Sequence, residues 1–209
     1  VLRKLIKESK AVRFDGNGYS EEWQVEAKKR GLDVEKCVPK MSEAYITPES
    51  RKLFKDMKVL TDVELESRNE VKHEIYIKKL QIEGRVLGDL VLNHIIPTAT
   101  EYQTELIKNV QGLKEIFSAE EFKKVAGAKL DMIHQIEEHI VAVSEGVEKM
   151  IDARKAANKI DHAKDKAIAY HDKVSPWFEK IREHIDALEM IVDDEKWPLP
   201  KYRELLFIR

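Results

Sequence analysis

Cysteine is nearly absent from this sequence of 209 residues, in which Cys37 is the only example. A single cysteine cannot form an intramolecular disulfide, and it cannot supply a cysteine-based metal cluster. This usage fits a reducing compartment, so we expect a cytoplasmic protein. Cys37 lies in a segment with no clear periodicity and no identifiable base nearby in sequence. We therefore interpret it as a buried or bystander thiol and not as a nucleophile.

Long apolar runs and an excess of one charge are also missing. No run approaches the roughly 20 apolar residues that a membrane-spanning helix needs, so we expect no membrane partner. The 37 basic residues nearly balance the 39 acidic ones, which leaves no strong field to attract nucleic acid. The start, VLRKLIKESK, has neither an initiator methionine nor the apolar segment of a signal peptide, and it predicts a piece of a longer polypeptide.

What the sequence does contain is long helical periodicity. With eight glycines and six prolines, the long loops that usually carry a catalytic site are scarce. The motifs TDVE at 61–64 and SAEE at 118–121 fit the capping box that opens a helix. The first of these helices reaches Pro97, which we expect to kink or break it after Ile96. Its apolar residues form a row that we expect to face a core: Val71, Ile75, Ile82, Val86, Leu87, Leu90, Val91 and Ile95.

Two further helical patterns complete the bundle. The second capping box precedes apolar residues that are spaced alternately three and four positions apart. Small side chains continue this apolar row in a helix expected over 126–174. Ser175 and Pro176 start a last long helix. The apolar rows are Ile133, Ile136, Ile140, Val143, Val147, Met150, Ala157, Ile160 and Ala167, and then Phe178, Ile181, Ile185, Leu188 and Val192. The patterns predict a mainly α protein, an antiparallel bundle of three to four long helices.

The first 60 residues have a mixed character. Residues 11–14 form the only convincing strand, and Ser20 is a suitable N-cap for a helix over 21–30. Residues 32–46 show no period, and Pro39 argues for a connector there. Since one strand cannot make a sheet, its partners lie outside this chain or it forms a short edge against another subunit.

A glycine-containing turn is the first candidate site. Gly16-Asn17-Gly18, between the strand and the helix, is half of a dinucleotide-binding fingerprint. The position of the third glycine holds Glu21, whose charge would repel a pyrophosphate, and no βαβ unit follows. We interpret the motif as a plain turn.

The seven histidines are the second candidate. Glu70-x-x-His73 with Asp131-x-x-His134 resembles the carboxylate–histidine pairs of di-iron bundles. That chemistry needs further carboxylates from the other helices, where the facing positions are apolar. We therefore predict no catalytic, cofactor-binding or metal-binding residue. We expect surface positions for His73, His134, His139, His162, His171 and His184.

Several strings in the sequence resemble the C-terminal region of type III glutamine synthetases, the large-subunit bacterial class. The resemblance extends from about Phe14 to Phe207. The strings that carry it are NGYSEEW, EAKKRGL, TDVELESRNEV, LNHIIPTATEYQTELIKNVQGLKEIF and WPLPKYRELLF. It implies a parent enzyme that joins ammonia to glutamate with ATP, uses a divalent metal (Mg or Mn), and assembles as stacked hexameric rings. No position here matches the metal or phosphate motifs of such enzymes, so the resemblance implies no catalytic residue in this chain.

The resemblance also suggests how the chain is organised. In this interpretation the lone strand is the last edge of an upstream catalytic module, and the segment from Trp197 to Phe207 docks onto another chain. The predicted parts are the tail end of the catalytic module (1–31), a connector with a short helix (32–60), the long-helix bundle (61–192) and a C-terminal docking tail (193–209).

Three functions remain open at this stage. The leading one is a non-catalytic domain, inactive alone, that contributes structure and oligomer assembly to a glutamine synthetase through the upstream module and neighbouring subunits. The second is a regulatory module of the same enzyme that binds an effector or a partner protein. The third is a ferritin-like bundle that binds metal.

Overall fold

The computed structural model describes residues 1–206, with the backbone alone for Tyr202 and Arg203, and this part of the chain is almost entirely helical. No β-strand occurs within it, so the mainly α prediction is confirmed. The chain divides into two compact units, one comprising Val1–Leu65 and the other beginning at Glu66. The functional roles assigned to the four predicted parts stay predictions.

The first unit is built from short helices. The predicted cap at Ser20 is present, because its hydroxyl accepts a hydrogen bond from the Trp23 amide at 3.2 Å. The Thr47 hydroxyl caps another helix by accepting from the Ser50 amide at 3.2 Å. Such caps satisfy backbone N–H groups that the first turn leaves unpaired. The helices are α1 (Leu2–Glu8), α2 (Glu21–Lys29), α3 (Val38–Ser42) and α4 (Pro48–Asp56), with 3₁₀ turns at Ser9–Val12 and Glu43–Ile46.

Two predictions for this unit were wrong. The predicted strand at 11–14 is not formed: the chain makes a 3₁₀ turn at Ser9–Val12 and is extended only from Arg13. A lone strand would leave its backbone groups unpaired, whereas here the Arg13 carbonyl accepts a hydrogen bond from Arg30 at 2.8 Å. The predicted connector contains α3, because Pro39 occupies the first turn, where a proline does not interrupt helical hydrogen bonds.

Long helices form the second unit. Both predicted capping boxes are confirmed: the Thr61 amide donates to the Glu64 carboxylate at 2.8 Å, and the Ser118 amide donates to Glu121 at 3.2 Å. The helices are α5 (Asp62–Leu90, which begins in the first unit), α6 (Ile96–Ile116), α7 (Ala119–Asn158), α8 (Ala163–Ala169), α9 (Ser175–Ile191) and α10 (Tyr202–Leu205). The single helix predicted over 126–174 is interrupted between α7 and α8.

Two π-helical turns, Val91–Ile95 and Tyr170–Val174, each lie just before a proline. A proline inside a helix cannot donate to the carbonyl four residues earlier, and its ring crowds that carbonyl. A wider turn relieves this conflict, and the Ile96 amide donates to the Val91 carbonyl five residues back. The chain consequently stays helical through Pro97, and it is already helical where Ser175 was predicted to begin a helix.

The core of the second unit surrounds α7, which packs against α6, α8, α9 and both π turns. The apolar rows predicted for α7 and α9 are confirmed as the main contributors. The fully buried or nearly buried members are Ile136, Val143, Val147, Met150, Ala157, Ile181, Ile185, Leu188 and Val192. Trp197 is also buried in this core, with Leu199 packed against it. The start of the predicted docking tail thus packs on its own bundle, and Phe207 lies outside the described residues.

Candidate functional site

The glycine turn near the N-terminus is held by local packing. The Phe14 and Trp23 rings stack with centroids 4.1 Å apart, and a Cβ at Gly16 would lie 2.5 Å from the Phe14 ring. Only glycine fits under this ring. Asn17 accepts a hydrogen bond from the Tyr19 amide at 3.0 Å, which is typical of a turn closed by an asparagine side chain. These contacts support the interpretation as a corner that leads into α2.

The histidines do not all occupy the predicted surface positions. His134 is exposed, but His73 on α5 is buried, so the prediction was wrong for His73. Its carboxylate neighbour in the motif, Glu70, is exposed. Among residues 1–206, no three His, Cys, Asp or Glu side chains lie close enough together to hold a metal ion.

Two histidines that the sequence places 45 residues apart meet between α7 and α9. The Nδ1 atoms of His139 and His184 are 3.0 Å apart, and both side chains are partly buried. Their ring centroids lie 5.3 Å apart with a tilt of 51° between the planes. At this distance one neutral ring donates its Nδ1–H and the other accepts. Surface positions were predicted for both. The only hint of the pair in the sequence is that each histidine directly precedes an isoleucine, Ile140 or Ile185, of an apolar row.

The pair makes the protonation of His139 unfavourable. Burial lowers the pKa of His139 below its ordinary value of 6.5, the neighbouring His184 lowers this pKa further, and Glu138 partly opposes the shift. A protonated ring at this position would lose hydration and could no longer accept at Nδ1. The native packing therefore favours a neutral His139.

We expect the free energy of unfolding to fall under mildly acidic conditions. Well above pH 6.5, His139 is neutral in both the folded and the unfolded chain. As the pH falls below that value, the unfolded chain binds a proton more readily than the folded one, so stability decreases and then levels off below the lowered native pKa. Urea unfolding between about pH 8 and 5 measures how steeply the free energy of unfolding changes with pH.

The variant His139→Gln should flatten this slope, whereas His134→Gln, at an exposed position of the same helix, should keep it. An identical slope in the wild type and in His139→Gln would show that the pair does not contribute to the pH dependence.

A second polar cluster lies beside the core. The hydroxyl of Tyr170, a fully buried residue, donates to Asn158 Oδ1 at 2.7 Å. Gln81 donates to the same oxygen at 2.9 Å. The cluster thus ties the second π turn to α5 and to the end of α7, and it satisfies the polar end of a buried ring.

An exposed apolar row runs along α5, so the prediction of an inward row is wrong for its first half and confirmed for its second. The helix packs through the opposite side, where a Cβ at Gly84 would lie 3.3 Å from Phe178 and one at Gly88 would lie 3.7 Å from Met150. Of the predicted row, Val91 and Ile95 are buried and Leu87 and Leu90 pack against the core, whereas the other four members are about half exposed. They form the outer row of α5: Val71 (47%), Ile75 (50%), Ile82 (62%) and Val86 (51%).

Basic side chains flank the outer row of α5. Lys78 and Lys79 lie between Ile75 and Ile82, one helical turn from each, and both are exposed. The other exposed basic residues one turn from the row are Arg68, Lys72 and Arg85. An apolar row of this length with charged borders is typical of a surface that contacts another helix or subunit.

The first unit also exposes apolar side chains. Helix α1 has no buried residue, and Leu2, Leu5 and Ile6 on one of its sides are all more than half exposed. An amphipathic helix gains stability mainly when its apolar side is covered. In neither unit is any described helix long and apolar enough to cross a membrane.

Comparison with known proteins places the chain in a family. A model described as the glutamine synthetase C-terminal domain matches residues 1–114, which include the first unit, α5 and most of α6. The chain belongs to the glutamine synthetase C-terminal domain family. The resemblance found in the sequence is thereby confirmed.

Relatives of this family match the whole chain and not only its first half. A glutamine synthetase of Bacteroides fragilis is 46% identical over 209 residues, which are 100% of this chain and 29% of that protein. A type-3 glutamine synthetase of Dictyostelium discoideum is 29% identical over 100% of this chain and 28% of its own length. A glutamine synthetase of Butyrivibrio fibrisolvens is 26% identical over 99% of this chain and 29% of its own length. The chain therefore spans less than a third of these relatives.

Proposed function

We propose that the chain is a non-catalytic helical domain of a cytoplasmic glutamine synthetase and that it contributes structure and subunit assembly. The parent reaction is the ATP-dependent ligation of ammonia to glutamate. The outer row of α5 carries the proposal, because four β-branched side chains on a rigid helix form a surface that gains stability when another surface covers it. Covering a side chain of this kind contributes about 1 kcal/mol or more.

The exposed side of α1 supports the same proposal from the first unit. Its apolar residues need a covering surface, and an upstream catalytic module would supply one. The outer row of α5 then serves a neighbouring subunit of a homo-oligomer, for which stacked hexameric rings are the arrangement that the resemblance implies.

The resemblance implies a divalent metal, Mg²⁺ or Mn²⁺, together with ATP for the whole enzyme. Hard cations of this kind bind through several carboxylate and carbonyl oxygens. Residues 1–206 do not fit such a site, since no three His, Cys, Asp or Glu side chains converge there. We assign the metal and the nucleotide to the part of the enzyme outside this chain.

A double substitution in the full-length enzyme tests the proposal. Ile75→Glu combined with Ile82→Glu places two carboxylates on the outer row of α5, and we expect smaller assemblies in sedimentation velocity because burying these charges is costly. The matched control is Met190→Glu, which changes an apolar side chain that is 86% exposed on α9 and should leave the profile unchanged.

The same substitutions in the 209-residue chain separate assembly from folding. Since Ile75 and Ile82 are half exposed here, its thermal unfolding should change little. An unchanged sedimentation profile of the double variant would contradict the assembly role. Deletion of residues 197–209 is a less specific test, because it also removes Trp197 from the core.

A further inference from the structure

We propose that His139 and His184 form a binding site for a divalent transition-metal ion, with Cu²⁺ and Ni²⁺ preferred, that joins α7 to α9. The pair brings two metal-binding nitrogens together, with 3.0 Å between the Nδ1 atoms. Imidazole nitrogen is a good ligand for copper, nickel and zinc, and a poor one for magnesium or calcium.

The distance between the nitrogens is compatible with a shared metal ion. With metal–nitrogen bonds of about 2.0–2.1 Å, two nitrogens 3.0 Å apart enclose an angle of about 90–97° at the ion. Adjacent positions of a square-planar or octahedral ion require an angle close to this. A tetrahedral zinc ion would need the nitrogens about 3.3–3.4 Å apart. The spacing is therefore close to what a shared ion needs, and the preference for Cu²⁺ and Ni²⁺ over Zn²⁺ follows from the general order of affinities for nitrogen ligands.

Few atoms have to move for the ion to bind. In the hydrogen-bonded pair one Nδ1 carries a proton, whereas a metal ion needs a lone pair from both Nδ1 atoms. The donating ring therefore moves its proton from Nδ1 to Nε2, with no net loss of a proton from the neutral pair. A rotation of each ring about its last side-chain bond then turns both lone pairs towards one point, and this torsion is soft in histidine.

The position of the pair suits a fixed but accessible ion. Both helices are held by the core, since Ile136 and Ile185 beside the pair are buried. The two rings themselves are only partly buried, so water can reach the ion and fill its remaining coordination positions. Two protein ligands make a site of moderate affinity, in which the order Cu²⁺, then Ni²⁺, then Zn²⁺ follows the general preference of nitrogen sites.

Metal titrations of the untagged 209-residue chain test the site. After removal of bound metal with a chelator, Cu²⁺ and Ni²⁺ salts are added at neutral pH, and binding is followed by calorimetry and by the thermal unfolding midpoint. We expect one ion per chain and a raised unfolding midpoint, because the ion binds the folded arrangement. The variants His139→Gln and His184→Gln should each weaken binding at least tenfold. The control His134→Gln, at an exposed position, should bind as the wild type does.

A measurement on the wild type keeps the test independent of how the variants fold. Nickel added in small amounts should broaden the imidazole ¹⁵N signals of His139 and His184 before those of the other histidines. Absence of saturable binding would overturn the proposal, as would tight binding that survives either substitution or broadening that begins at another histidine.

Discussion

Replacing Gly146 by valine is expected to lower the free energy of unfolding of the second unit by about 3 kcal/mol. Gly146 is a buried residue of α7, the helix that packs most extensively against α9. A Cβ at this position would lie 2.9 Å from Cγ1 of Ile181, a fully buried side chain. Valine would add two further carbon atoms at this contact, so the helices must move apart or adopt strained side-chain conformations.

A second glycine of α7 provides the matched control. A Cβ at Gly127 would meet no atom within 4 Å, so Gly127→Ala should raise the free energy of unfolding by about 0.5–1 kcal/mol through helix propensity alone. Urea unfolding followed by the fluorescence of Trp177 and Trp197, both in the second unit, measures both changes. If Gly146→Val were as stable as the wild type, the close packing of α7 on α9 described above would be incorrect.

Removal of the Tyr170 side chain is the other substitution with a large expected effect. Tyr170→Ala should lower the free energy of unfolding by about 4 kcal/mol, because it empties a large, fully buried volume. The ring lies in the second π turn and belongs to the core cluster of the bundle. The substitution also leaves Asn158 with only Gln81 as its described donor.

Two further variants separate the contributions of Tyr170. Tyr170→Phe keeps the ring and removes one hydrogen bond, so it should cost about 1 kcal/mol. Lys173→Ala changes an exposed residue of the same π turn and should stay within about 0.5 kcal/mol of the wild type. The same fluorescence-detected unfolding measures all three, and an equal loss for Tyr170→Phe and Tyr170→Ala would mean that the ring contributes little by its burial.

The sequence was informative where local chemistry decides the structure. The capping boxes at 61–64 and 118–121 were predictable because a hydroxyl and a carboxylate three residues apart satisfy the same helix end. The row of α7 was predictable because one strong apolar pattern, from Ile136 to Met150, has a single side to bury. Strings such as NGYSEEW identified the family, because a family resemblance depends on the order of residues along the chain and not on contacts in space.

The remaining features depend on contacts between distant residues. Helix α5 has apolar residues on two sides, and its packed side uses Gly84 and Gly88, whose lack of a side chain hides the contact from a hydrophobic pattern. The outer row, with Ile82 at its centre, looked like the better core. The His139–His184 pair depends on how α7 and α9 are aligned, which periodicity within either helix does not determine.

The two π turns also set the phase of the helices that follow them. Each wide turn accommodates about one residue more than an α-helical turn, which rotates every later side chain by about 100° around the helix axis. For the turn at Val91–Ile95, this rotation determines that Ala99 faces the interior and that Pro97 faces water. Deletion of a single residue there would leave α6 helical but would turn a different set of its side chains towards α7. Such a deletion would therefore change the packing between α6 and α7.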